Sequence, residues 1–188
     1  MINPRTLVLA AVIAAAALPL ARPILAQKSY ALGISGGVAI PAGVFGDSAS
    51  TGYGATGFIA LGVPDLPVGV RFDGIFNKFP GRTISTSGGP TFDTPDVRVL
   101  GFLGSLIYSF SGTTAKPYLI TGGGIYNIKA DVAGAKSQND FGFTAGFGAT
   151  FGVRSAAGFI EARYHGISRD EAKGGNVQFV PITLGIMF

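Results

Sequence analysis

The 188-residue chain has no cysteine, no tryptophan and a single histidine. Without cysteine there is no disulfide framework, no thiol nucleophile and no lipid-anchored N-terminal Cys. One histidine beside scattered carboxylates gives no metal-ligand cluster, so neither a metal nor another cofactor is expected. Charge is scarce: 13% of the residues are Asp, Glu, Lys or Arg, about half the share in soluble domains. The Lys and Arg residues stand singly with no basic run, which leaves nucleic-acid binding without support. Beyond residue 26 no helical period is found.

The N-terminal stretch is set apart from the rest. Met1–Thr6 carries one charge, Arg5; Leu7–Leu20 is almost wholly apolar; Pro19 and Pro23 interrupt any helix; and Leu25-Ala26-Gln27 offers a small residue for cleavage. A charged start, an apolar centre and a small-residue site describe a secretory signal. A transmembrane helix would need roughly 18 or more apolar residues. Residues 1–26 are therefore expected to be a signal peptide and residues 27–188 one barrel domain. Loss of Arg5 and Arg22 lowers the formal charge from +4 to +2.

What is abundant is glycine, 30 residues, within a chain that is 47% hydrophobic. Glycine at that level opposes helix, whereas the aromatic and β-branched content opposes disorder. Period-two alternation recurs along the chain, as in a strand whose successive side chains point to opposite faces. Phe141, Phe143, Ala145, Phe147, Ala149 and Phe151 share one face; Gly142, Thr144, Gly146, Gly148 and Thr150 share the other. Similar segments run over Tyr30–Ile40, Tyr53–Val63, Val68–Lys78, Val97–Phe110, Tyr118–Ala130, Phe159–Gly166 and Val177–Phe188. In Val97–Phe110, which is apolar on both faces, Leu100, Phe102, Leu106, Tyr108 and Phe110 are assigned outward, with Gly101 and Ser105 inward. Rows of Gly, Ala, Ser, Thr and a few charges suit the inside of a narrow barrel; the apolar rows then face lipid.

Unpaired backbone groups cost several kcal/mol in hydrocarbon, so such a sheet must close. The fold expected is all-β: an eight-stranded antiparallel up-and-down transmembrane barrel. Connections alternate short and long, with short turns periplasmic and long loops external. The short links are 64–67, 111–114 and 154–157; the long ones are 41–52, 79–96, 131–140 and 168–176. The six tyrosines lie near predicted strand ends and are assigned to aromatic girdles. Tyr30, Tyr108 and Tyr118 fall on the periplasmic side, and Tyr53, Tyr126 and Tyr164 on the outer side. Phe147→Arg should harm insertion, and Gly148→Ala should be much milder.

Over about Tyr30–Phe188 the chain resembles the small OmpA/OmpX-type outer-membrane barrels. The sharpest element is the last strand, in which Ile182, Leu184, Ile186 and Phe188 alternate. The resemblance implies that these four residues form the signal read by the barrel-assembly machinery, with Pro181 a mild departure because it removes a ladder donor. It also implies the outer membrane of a Gram-negative bacterium, with outer-membrane lipid and lipopolysaccharide as surroundings. A protein partner would meet the external loops.

The inward charges Arg71, Asp73, Glu161, Arg163 and His165 are expected to form a polar cluster filling the lumen, since a buried charge needs a partner. An eight-stranded barrel is just wide enough for side chains to fill. The expected function is therefore non-catalytic, structural or adhesive, rather than that of a porin. The alternative is a lipid-modifying barrel enzyme using His165 with Ser168 and Glu161. A strand puts His165 and Ser168 on opposite faces and Glu161 roughly 13 Å from His165, which disfavours that constellation. A soluble lipocalin-like carrier would need the apolar rows inside. Asp93, Asp96, Asp170 and Glu171 are read as solvated loop charges. The glycine clusters 36–37, 88–89 and 122–124 lack the Lys-Ser/Thr of a phosphate loop.

Overall fold

A computed structural model describes residues 30–85, 91–135, 137–153, 156–169 and 175–188. The segment assigned as signal peptide, Gly88-Gly89, Arg154-Ser155 and Asp170-Glu171 lie outside the described residues. Eight long strands form the wall: β1 (Tyr30–Ala42), β2 (Gly52–Gly62), β3 (Val68–Phe79), β6 (Val97–Ser109), β7 (Ala115–Ala130), β8 (Gln138–Val153), β9 (Ala156–Ile167) and β10 (Val177–Met187). Every strand pairs antiparallel with its neighbours, and β10 returns to β1 to close the barrel.

The registers fix the shape. Stepping from Leu32 across each ladder in turn returns to β1 at Ala42, ten residues further on. Eight strands with that stagger tilt by about 40–45° from the barrel axis. The β9–β10 ladder skips Val180 and Pro181 and resumes in the same register, because proline has no N–H to give. Closure is completed at the C-terminus, where Leu32 and Phe188 exchange backbone hydrogen bonds at 3.1 and 2.9 Å.

The wall carries its apolar rows outward. Ile34, Phe102, Leu106, Phe141, Phe143, Phe147 and Leu184 are all exposed on the outer surface. Both described termini lie at the end with the short turns. One of these turns holds Asp65 at a φ of 64°, a left-handed conformation that Asp tolerates better than most residues.

The long-loop end is more structured than the alternation pattern predicts. A one-turn helix, α1 (Gly43–Ser48), follows β1, and a hairpin of β4 (Thr83–Ser85) and β5 (Thr91–Asp93) stands within the longest loop. Neither has the length for a periodic signal. Gly43 enters α1 at a φ of 57°, where its lack of a Cβ is what allows the turn.

Candidate functional site

The interior is layered. Near the middle of the wall Arg71 and Asp73 on β3 meet Glu161 and Arg163 on β9 across the lumen. Arg71 donates from Nε to Asp73 Oδ1 (2.7 Å) and from Nη1 and Nη2 to the two oxygens of Glu161 (2.9 and 3.1 Å). Arg163 donates from Nε to Glu161 Oε1 and from Nη1 to Asp73 Oδ2, both at 3.1 Å. Its Nη2 lies 2.8 Å from Glu161 Oε1 but off a hydrogen-bond axis. Tyr118 donates its hydroxyl to Glu161 Oε2 at 2.7 Å, and the Arg71 guanidinium sits 4.1 Å from the Phe58 ring centroid. Two cations and two anions thus close a ring, all four side chains buried. The planar guanidinium fork is what lets each arginine serve both carboxylates.

Above this ring, towards the long loops, the lumen is aromatic. His165 accepts or donates through Nδ1 to the Tyr126 hydroxyl at 2.8 Å and stacks on Phe179, with centroids 4.8 Å apart and planes 1° apart. Phe179 meets Phe79 edge-on at 5.2 Å, and Phe79 meets Phe45 of α1 at 5.1 Å. Val99, Ile128 and Val177 complete this plug. Below the ring, Phe58 and Phe159 pack edge-on at 5.5 Å over a cavity of about 260 Å³ at the short-turn end. Arg71 and Tyr118 line that cavity, so the charged ring roofs it.

Two of the six tyrosines assigned to girdles are elsewhere. Tyr118 and Tyr126 point into the lumen, 5% and 0% exposed, whereas Tyr30, Tyr53 and Tyr108 are exposed on the outer wall. Tyr164 is half-buried on the outer face against Phe143. The reason is polar: each inward hydroxyl completes a buried acceptor or donor, on Glu161 or His165, that the lumen would otherwise leave unpaired. A sequence signal existed in the register partners. Gly148 stands opposite Tyr118 and Gly101 opposite Tyr126; a Cβ at Gly148 would collide with the Tyr118 ring, and one at Gly101 would crowd Ile75 and the Tyr126 ring. Gly148→Ala is accordingly not a mild change. The inward rows are also not merely small and ionic: Phe58, Phe79, Phe159 and Phe179 are interior side chains that the alternation argument did not anticipate.

The glycines 122 and 124 sit where a Cβ would strike the backbone of Ser105 and Leu103 on β6, so they permit a close approach of strands. The esterase constellation is not assembled. His165 is held by Tyr126 and Phe179, Glu161 belongs to the charged ring, and Ser168 is exposed at the loop end. Among the described residues no cluster of three His, Cys, Asp or Glu side chains could hold a metal.

The long loops form the other candidate surface. Arg82 Nη1 donates to Gly46 O (3.0 Å) and Thr94 Oγ1 to Ser48 O (2.6 Å), joining the β4–β5 hairpin to α1. Gly81 N donates to Asp96 Oδ1 at 3.0 Å; that bond first, and Lys78 second, hold the Asp96 carboxyl below the usual carboxylate range. Asp93 accepts from Thr83 Oγ1. Arg169 ties the last loop to β8 through Asp140 and Gln138.

A closed eight-stranded antiparallel barrel with an apolar exterior and a filled polar-and-aromatic lumen defines a class, the small transmembrane β-barrels. Among solved structures the chain is similar to Neisserial surface protein A (TM-score 0.65, 16% identity), with 85% of this chain and 96% of that one covered. It is also matched to the N-terminal β-barrel domain of Pseudomonas aeruginosa OprF (TM-score 0.49, 15% identity, 86% and 98% covered). Ail of Yersinia pestis, in complex with the heparin analogue sucrose octasulfate, gives a TM-score of 0.49 at 14% identity, with 86% and 100% covered. No protein-family model matches the sequence, and no curated protein matches it. The fold is that of the OmpA/OmpX-type outer-membrane barrels.

Proposed function

We propose that this chain is an exported, non-catalytic protein of the bacterial outer membrane that presents a structured external platform on a sealed barrel. Residues 1–26 direct export and are removed, Ile182, Leu184, Ile186 and Phe188 are read during barrel assembly, and the long loops face the outside. The observation that carries the proposal is the lumen: the charged ring, and the aromatic plug above it, cross the interior at two levels. A sealed lumen leaves the loops as the surface that can meet a partner. There Val44 on α1 and Phe92 on β5 are exposed apolar residues on two loops fastened to each other. That pre-set arrangement suits a protein partner or an adhesive contact, since little ordering is left for binding to impose.

The test has two arms. The full chain expressed in a Gram-negative host should fractionate with the outer membrane and shift in gel mobility on boiling; recovery as a soluble periplasmic monomer would refute the membrane assignment. Reconstituted in a planar bilayer, it should give no steady conductance. A stable large conductance would refute the sealed lumen.

A further inference from the structure

The outward wall of β2, β3, β6 and β7 bears a charged row above an apolar groove, and we infer that together they bind a phosphorylated, multiply acylated lipid of the outer leaflet, of the lipid A class. This rests on the outer-membrane placement proposed above. Lys78, Arg98 and Lys129 occupy one register row on three adjacent strands. Alternation puts all three on the lipid-facing side, at the level where the strands enter the long loops. Neighbouring strands are about 4.8 Å apart, and like charges side by side across strands are destabilising. Lys78 is relieved by Asp96, Nζ to Oδ2 at 3.0 Å. Arg98 and Lys129 form no ion pair among the described residues. With Asp96 and Asp131 the five side chains line a pocket of about 190 Å³ with Phe76 as its apolar wall.

Phe76 also lines the groove beneath, a shallow depression of about 870 Å³, wide open to the lipid side, edged by Ile34, Leu100, Phe102 and Ile125. Its floor is the register pair Gly57 and Gly74. A Cβ on Gly57 would meet nothing within 4 Å, and one on Gly74 only a carbonyl oxygen at 3.9 Å. Packing within the wall therefore does not demand glycine at either place, although the neighbouring outward positions are large and apolar. The groove lies on the hydrocarbon side of the cationic row, which is the order in which a lipid presents phosphate and acyl chains. A cationic row at the external rim selects an anionic headgroup in the outer leaflet. A second copy of the chain docked face to face would instead oppose the same cations to one another.

The experiment uses the full chain purified from outer membranes in mild detergent, with bound lipid A counted by mass spectrometry and rebinding measured in nanodiscs containing Kdo2-lipid A. Arg98→Glu with Lys129→Glu should cut retained lipid A about tenfold or more. Gly57→Leu with Gly74→Leu should also lower it, by filling the groove while leaving the cations in place. Lys116→Glu, at the short-turn end, should leave it unchanged. Equal retention by wild type and the double glutamate variant, both shown to be folded by heat-modifiable mobility, would overturn the inference. So would equal competition by phosphatidylglycerol, which would mean a generic anionic surface. Absence of the protein from the outer-membrane fraction would overturn the placement itself, and is thereby distinguishable from a folded outer-membrane protein that holds no lipid A.

Discussion

Arg71 is the member of the lumen ring whose removal is most informative. It supplies one hydrogen bond to Asp73, two to Glu161, and a cation–π contact to Phe58. Arg71→Leu keeps much of the apolar stem but leaves two carboxylates facing Arg163 alone, a net charge of −1 enclosed by the wall. Removing one partner of a buried pair costs about 3–5 kcal/mol, because the other charge stays buried without compensation. The loss should shrink when neutrality is restored. In Arg71→Leu/Glu161→Gln, Asp73 and Arg163 remain as a single pair, and Tyr118 keeps an acceptor in the glutamine carbonyl. The two changes should therefore couple, with the double variant at least about 1.5 kcal/mol more stable than additivity predicts, within the range seen for groups in one network. Urea titration of the protein folded into lipid vesicles, read by heat-modifiable gel mobility, measures both quantities. A single variant within about 1 kcal/mol of wild type would refute the uncompensated-charge argument. A glutamine that deepens the defect would refute the idea that charge balance, rather than bond count, holds the ring.

Three other perturbations probe separate features. Phe147→Arg puts a cation on the lipid face of β8, where the wild-type ring is 64% exposed; the same titration should show a loss of about 2–4 kcal/mol. Gly148→Ala drives a methyl into the Tyr118 ring and should forfeit its bond to Glu161, about 1.5–3 kcal/mol for a hydrogen bond to a charged group; adding Tyr118→Phe should then cost little more. In the long loop between β3 and β6, the Asp96 carboxyl has a folded pKa below its ordinary value of 3.8. Its bond to the Gly81 amide is therefore present above that value and is lost as pH falls through the lower folded value. The Gly81 amide resonance should stay constant between about pH 7 and 5 and move only below about pH 4, and Asp96→Asn should abolish the step.

The wall was readable because its rule is local. Period-two alternation assigns outward rows in most strands, and Leu100, Phe102 and Leu106 took their places even in a segment apolar on both faces. In Tyr118–Ala130, however, the row of Tyr118, Ile120, Tyr126 and Ile128, read as lipid-facing, is buried inside while Leu119 and Ile125 are exposed. The interior obeyed a different rule. Once the wall closes, inward side chains meet partners from strands far away in the chain, and what counts is volume matching and polar satisfaction. Tyr118 and Tyr126 looked like interface tyrosines by position, yet each is needed 39 or 43 residues away, by His165 or Glu161. The glycines opposite them carried the information, but only a known register reveals which residues are opposite. The loops were opaque for a third reason: one turn of helix and two three-residue strands are too short to leave a period.

The short helix also explains why the long-loop surface has a fixed shape. A helix of six residues has no stability of its own in water, and no side chain caps its N-terminus. What holds α1 is Phe45, buried against Phe79, which is buried against Phe179, which stacks on His165 above the charged ring. The β4–β5 hairpin is then fastened to α1 through Gly46 and Ser48. Order in the loops is thus continuous with packing in the lumen, through one chain of aromatic contacts. A lumen left open for passage would remove the surface on which α1 rests. Sealing the barrel and shaping its long-loop face are, in this protein, the same structural act.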